Sequence, residues 1–171
     1  MHLSFGIAAV RPSSKPERPT AQPAMPFMVF AALLLIGMTA TIHYESLRGL
    51  YQWLPGLRIP SRTKVLVVIF GAFVAHLLEI AVYGFIFFLL VIYGGAGSLV
   101  GPHSISLTAC MYFSAESYTS LGFGDVTPNG PLRLLAGTEA LNGLLLIGWS
   151  ASFLYISMER FWVSHQHGRV R

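Results

Sequence analysis

Two apolar runs, Lys64–Tyr93 and Leu132–Phe161, flank a stretch about half as long, Ser104–Tyr118. A helix rises about 1.5 Å per residue, so each long run reaches roughly 45 Å and exceeds the ~30 Å hydrocarbon core of a bilayer. The middle stretch is too short to cross. A chain that enters a membrane, turns and leaves is tolerated only where its backbone is buried in protein or lines water. The order span, half-span, span therefore restricts the fold more than any other feature of this sequence.

Composition agrees. Of 171 residues, 54% are hydrophobic and 11% charged, against about 25% charged in a soluble domain. Mean hydropathy is +0.62. Too few charges remain to cover a water-facing surface, so an integral protein of the cell membrane, in contact with lipid, is expected. The net charge of +4 does not point to nucleic acid, because the eleven Lys and Arg sit mainly in short segments between apolar runs. One cysteine, Cys110, excludes an intrachain disulfide. No separate ligand-binding domain fits the length, and no small-molecule ligand is expected.

Residues 1–25, rich in proline and polar side chains, read as a disordered tail. Phe27–Ile42 is a further apolar run, opened by Pro26 and closed by His43-Tyr44 as an interfacial end, so a first spanning helix is expected over 26–44. A cytoplasmic linker follows over 45–63, with Pro55-Gly56 and Pro60. The membrane domain then covers 64–161, with an outer helix 64–93, a half-helix 104–118, a loop 120–124 and an inner helix 132–161 begun by Pro131. A basic cytoplasmic tail is expected over 162–171. The expected fold class is an all-α membrane protein with three transmembrane helices and a re-entrant half-helix and loop. Three spans put the termini on opposite sides. Seven Lys and Arg on the side of the linker and C-terminus, against four on the other, predict a cytoplasmic C-terminus and an N-terminus outside. The margin widens if translation starts at Met25.

Between the half-helix and the inner helix lies Thr119-Ser120-Leu121-Gly122-Phe123-Gly124-Asp125. Tyr112–Pro128 resembles the pore helix and filter of potassium channels, whose signature is T-V-G-Y-G. Aligned on the glycines, Ser120 stands for Thr, Leu121 for Val and Phe123 for Tyr, and Asp125 and Pro128 fit the usual continuation. The resemblance runs from Lys64 to about Arg160 and leaves the first helix as an addition to a two-helix plan. It implies that backbone carbonyls of Ser120, Leu121, Gly122 and Phe123 replace the hydration shell of K+. Gly122 and Gly124 tolerate the positive φ that such a backbone needs. One loop per chain implies a homotetramer as the partner arrangement. The resemblance implies no cofactor beyond the permeant K+ ions. Phe123 lacks the hydroxyl that would tether the filter, and Phe113 stands where these channels often carry tryptophan. A weakly selective cation channel and a non-conducting relative are the alternatives.

Other polar residues stand inside the apolar stretches. Glu116 lies one turn after Tyr112, and the resemblance implies a cluster of Tyr112, Glu116 and Asp125 in which the two carboxyls share a proton. Glu139 and Asn142 precede Gly143, which is either a gating hinge or a close helix contact. Leu144, Ile147, Ala151 and Tyr155 follow at helical spacing as candidate cavity residues. His76 and Glu79 share one face of the second run and are expected to pair with each other or with Asn142 or Glu139. One His and one Glu make an incomplete metal shell. A hydrolase using Ser150 and His76 is disfavoured, because Ser150 sits in a continuous apolar helix without the turn that exposes a nucleophile. No run bears arginine at every third position, so no voltage sensor is expected.

Overall fold

The computed structural model describes residues 24–93, 97–101 and 106–167, with side chains from Met25 to Phe161. Helix α1 spans Ala24–Trp53 and ends in a short 3-10 turn, Leu54–Gly56. Helix α2 spans Ser61–Tyr93, strand β1 Ser98–Val100, helix α3 Leu107–Tyr118, strand β2 Thr127–Asn129 and helix α4 Leu132–His167. Three helices, α1, α2 and α4, are long and apolar enough to cross a membrane. Helix α3 is the half-length element between two of them.

Several boundaries differ from those expected, each for a local reason. Helix α1 does not stop near Tyr44 but takes in the first part of the expected linker. No proline lies between Pro26 and Pro55, and Glu45 and Arg48, one turn apart, pair at 3.1 Å on its exposed face. Pro55 then ends it: proline has no amide hydrogen to continue the ladder, and the chain tightens into the 3-10 turn before becoming extended at Leu57. Helix α2 begins at Ser61, with the Pro60 carbonyl accepting from the amides of Thr63 at 2.9 Å and Lys64 at 3.2 Å. Helix α4 continues past Phe161 to His167, because no glycine or proline follows Gly148 in that stretch. Of the expected N-terminal tail, residues 1–23 lie outside the described residues, while Ala24 and Met25 already belong to α1. Ser104, the expected start of the half-helix, also lies outside them. Ser106 caps α3, its side chain accepting from the Ala109 amide at 3.1 Å.

The small sheet is unanticipated. Strands β1 and β2 pair antiparallel, with Leu99 opposite Pro128. A two-stranded ribbon is all edge, so it accommodates a proline that cannot donate. The ribbon joins the chain before α3 to the chain after the loop, and so closes the re-entrant segment into a ring of contacts.

All four helices share one core. Met28, Ala32 and Leu35 of α1, Phe87 and Leu90 of α2, Phe113 of α3, and Leu135 and Ala136 of α4 are buried together. At the opposite end Leu54, Val65, Val68 and Phe161 form a second cluster. There the Arg160 guanidinium lies 4.9 Å from the Tyr51 ring and Lys64 Nζ 5.5 Å from the Phe161 ring. The outer faces carry Phe30, Leu33, Phe70, Phe73 and Leu78, each more than half exposed. A surface this apolar belongs against lipid or a partner rather than water.

Candidate functional site: the loop after the half-helix

The loop begins as a helix cap. Helix α3 ends at Tyr118, and the Ser120 amide bonds back to the Ser117 carbonyl at 3.0 Å while the Leu121 amide bonds to the Glu116 carbonyl at 2.9 Å. This nested pair is a Schellman cap, which puts its central residue in the left-handed region. That residue is usually glycine; here it is Ser120, at φ 57°. It is the one non-glycine with positive φ among the described residues. A left-handed non-glycine is costly, roughly 1–2 kcal/mol, and such strain persists only where the surroundings over-determine it.

The pattern then repeats. Gly122 has φ 54° and Gly124 φ 81°, while Leu121 and Phe123 keep negative φ. In an ordinary strand successive carbonyls alternate between sides. When the sign of φ alternates instead, successive peptides turn the same way, with N–H groups on one side and carbonyls on the other. The N–H side is visible here. The Leu121 amide meets the Glu116 carbonyl, and the Phe123 amide meets Glu116 Oε1 at 3.3 Å. Both amides face the half-helix, so the Ser120 and Gly122 carbonyls of the same two planar peptides turn away from it. A Cβ at Gly122 or Gly124 would meet nothing within 4 Å, so these glycines are required by conformation and not by space.

The supporting residues lie behind the loop. Glu116 is buried. Thr119 folds its hydroxyl onto the Ala115 carbonyl at 2.7 Å. Tyr112 donates to Asp125 Oδ1 at 3.2 Å, and that oxygen also accepts from the Val126 amide at 3.1 Å. Glu116 and Asp125 thus hold the two ends of the loop, at the Phe123 and Val126 amides. Tyr112 lies between them, and the Glu116 carboxylate, with burial and Asp125 adding, pushes its hydroxyl up to about 12. Phe113 packs edge-on against Phe87 of α2, with ring centroids 5.1 Å apart. Leu121 and Phe123 remain 60% and 67% exposed, which leaves the side of the loop away from its own helix open to a neighbour.

The inner helix divides into two faces. Leu144, Ile147, Ala151 and Tyr155 are exposed in the single chain. Glu139 and Asn142, grouped with them from sequence, are instead buried between helices. Asn142 donates to Thr39 of α1 at 2.8 Å, and Glu139 Oε1 lies 2.6 Å from the Ser114 hydroxyl of α3. Glu139 Oε2 has no hydrogen-bond partner among the described residues. At Gly143 a Cβ would overlap the Tyr118 carbonyl and come within 2.9 Å of the Tyr118 ring. Helix α4 passes so close under the end of α3 that no side chain fits at this position.

Below the loop lies a cluster that the sequence showed only in part. His76 and Glu79 do pair, at 3.2 Å. Neither Asn142 nor Glu139 joins them. The third member is His43, whose Nδ1 lies 2.8 Å from Glu79 Oε1 and which is fully buried rather than interfacial. Tyr118, the last residue of α3, donates to Glu79 Oε2 and lies 2.8 Å from His76 Nδ1. Ser150 of α4 lies 3.2 Å from His43 Nε2. Ser150, His43 and Glu79 therefore follow the atom order of a hydrolytic triad. Yet Ser150 is buried mid-helix, where neighbouring amides are spent on the helix ladder and offer no oxyanion hole.

A family model described as an ion channel matches residues 63–160, more than half of the chain. The chain belongs to this ion-channel family. No curated protein and no solved structure matches it. The matched region runs from the start of α2 to near the end of α4 and holds the half-helix and its loop; α1 lies outside it. This channel protein is multi-pass and not an enzyme, which removes the hydrolase alternative.

Proposed function

We propose that four copies of the chain surround one pore and conduct potassium ions past the carbonyls of Ser120, Leu121, Gly122 and Phe123. The observation that carries this reading is the alternation of φ sign from Ser120 to Gly124, which turns consecutive carbonyls to one side. A single loop cannot surround an ion, so a closed ring requires rotational copies. The exposed Leu121 and Phe123 side chains would be covered by the neighbouring subunit. Ile147 and Ala151, with Leu144 and Tyr155, line the inner cavity, and the partly negative end of α3 faces the ion held there. Gly143 lies beside Tyr118, just below the loop, and serves as the point about which α4 moves in gating. The C-terminus lies in the cytoplasm and the N-terminus outside. The permeant ion is the only ligand the filter requires.

Phe123 lacks a hydroxyl to fix the filter, and this favours weak selectivity as a second reading. The deciding experiment is reversal potential in liposomes holding purified protein, under opposed potassium and sodium gradients. The expected value lies near the potassium equilibrium potential. A value near zero would replace the selective channel with a non-selective one, and no current would leave the non-conducting alternative.

A further inference from the structure

We propose that His43, His76 and Glu79 form a binding site for a divalent transition-metal ion of the zinc class, placed where α1 meets the pore domain. The donor atoms already converge. His43 Nδ1 lies 2.8 Å and His76 Nδ1 3.2 Å from the Glu79 carboxylate, and one ligand atom from each residue lies within 4.8 Å of the others. Metal–ligand bonds of 2.0–2.1 Å in a tetrahedral shell space their donors about 3.3 Å apart. Little movement separates this cluster from such a shell.

Two imidazoles and a carboxylate form a ligand set that zinc accepts. Nitrogen donors favour zinc, nickel or copper, whereas calcium and magnesium take oxygen shells. Three protein ligands leave the fourth position to a water, beside the Tyr118 hydroxyl, which touches both His76 and Glu79. An outer shell is also present. His43 Nε2 faces the Ser150 hydroxyl at 3.2 Å. On metal binding His43 carries its proton on Nε2, donates it to Ser150, and frees the Nδ1 lone pair; a partner of this kind orients a ligating histidine. His43 and Glu79 are fully buried, and His76, with 16% of its side chain exposed, is the route by which an ion exchanges.

Charge points the same way. A carboxylate buried at membrane depth is costly unless a positive charge faces it, and a bound dication supplies one. The ligands come from two elements, His43 from α1 and His76 with Glu79 from α2. Tyr118 links them to α3, next to Thr119 and the loop. An ion here would fasten the added helix, which the family match does not cover, to the base of the filter.

The probe is Co2+, titrated into chelator-stripped, full-length protein in detergent and read by its visible absorption and by metal content per protomer. One ion per protomer is expected, both in the natural chain and in a variant whose other histidines (His2, His103, His165, His167) are alanine. Affinity should fall at least tenfold in Glu79→Gln and by about tenfold in Ser150→Ala. Both variants preserve side-chain volume, so loss of binding is separable from loss of fold; assembly is checked by size-exclusion chromatography. No bound ion in the natural chain overturns the proposal, as does equal binding in Glu79→Gln. Neither outcome depends on whether the protein conducts.

Discussion

The loop Thr119–Asp125 and the polar cluster beneath it meet at Tyr118 and Thr119 but are built on opposite principles. The loop is seven consecutive residues whose backbone does the work. Its side chains are largely exposed, and its glycines face open space. The cluster is five residues, His43, His76, Glu79, Tyr118 and Ser150, brought from four helices and held by buried side chains. In the loop a substitution acts through conformation. In the cluster it acts through lost partners. The same division separates two kinds of glycine: Gly122 is free of neighbours, and Gly143 is pressed against Tyr118.

The largest effect is expected at Gly122. Alanine there costs roughly 1–2 kcal/mol in each subunit for the left-handed region and tilts a carbonyl out of line. Gly122→Ala should abolish ion flux while sparing assembly and lowering thermal stability only modestly. A conducting Gly122→Ala variant would remove the loop's assigned role. Next comes Glu79→Leu, which leaves His43, His76 and Tyr118 without their common acceptor. Breaking a buried pair costs about 3–5 kcal/mol, so the melting temperature of the purified protein should drop well below that of Gly122→Ala. An unchanged melting temperature would mean that packing alone holds the four helices. Gly143→Ala should fall between them in kind: overpacking against Tyr118 costs about 1–3 kcal/mol and lowers stability and flux together. Loss of flux with no loss of stability would mean that the hinge alone, and not the contact with Tyr118, requires glycine at Gly143.

The contrast also explains what could be read from the sequence. The loop was legible because its signal is local: glycines at alternate positions after a half-length apolar stretch. The left-handed Ser120 was not, since only the Schellman cap of α3 forces it. The cluster was half legible, as His76 and Glu79 share one helix face. His43 reads as an interfacial end only for a helix α1 that stops there. With α1 continued to Trp53, Met28, Ala32, Leu35, Thr39, His43 and Leu47 fall on one buried stripe at steps of three and four. Thr39 and His43 are the polar members of that stripe, and that was the available signal. The partners Tyr118 and Ser150 lie 39 and 107 residues from the groups they bind, and no local pattern announces pairs at such separations. The β1–β2 ribbon, three residues per strand, is too short to show a period.

The smallest effect is expected where the two regions share a residue type but not an environment. Tyr118 is buried against Glu79, while Tyr112, 39% exposed, reaches Asp125 at the outer end of the loop. The Glu116 carboxylate, then burial and Asp125, raise the Tyr112 hydroxyl from its ordinary 10 to about 12. A group whose value is raised on folding contributes its stabilisation below the unfolded value and loses it as pH climbs through the folded one. The tether therefore contributes in full up to about pH 10, and the folded chain releases it as pH climbs through about 12. Tyr112→Phe removes it at every pH. Flux through the natural chain should exceed that of Tyr112→Phe slightly at neutral pH and converge on it only as pH climbs through about 12. Other tyrosines and lysines titrate in the same range, but they do so in both proteins, so the difference between the two curves isolates Tyr112. Parallel curves with a constant gap would mean that the hydroxyl oxygen matters for the space it fills and not for the proton it donates.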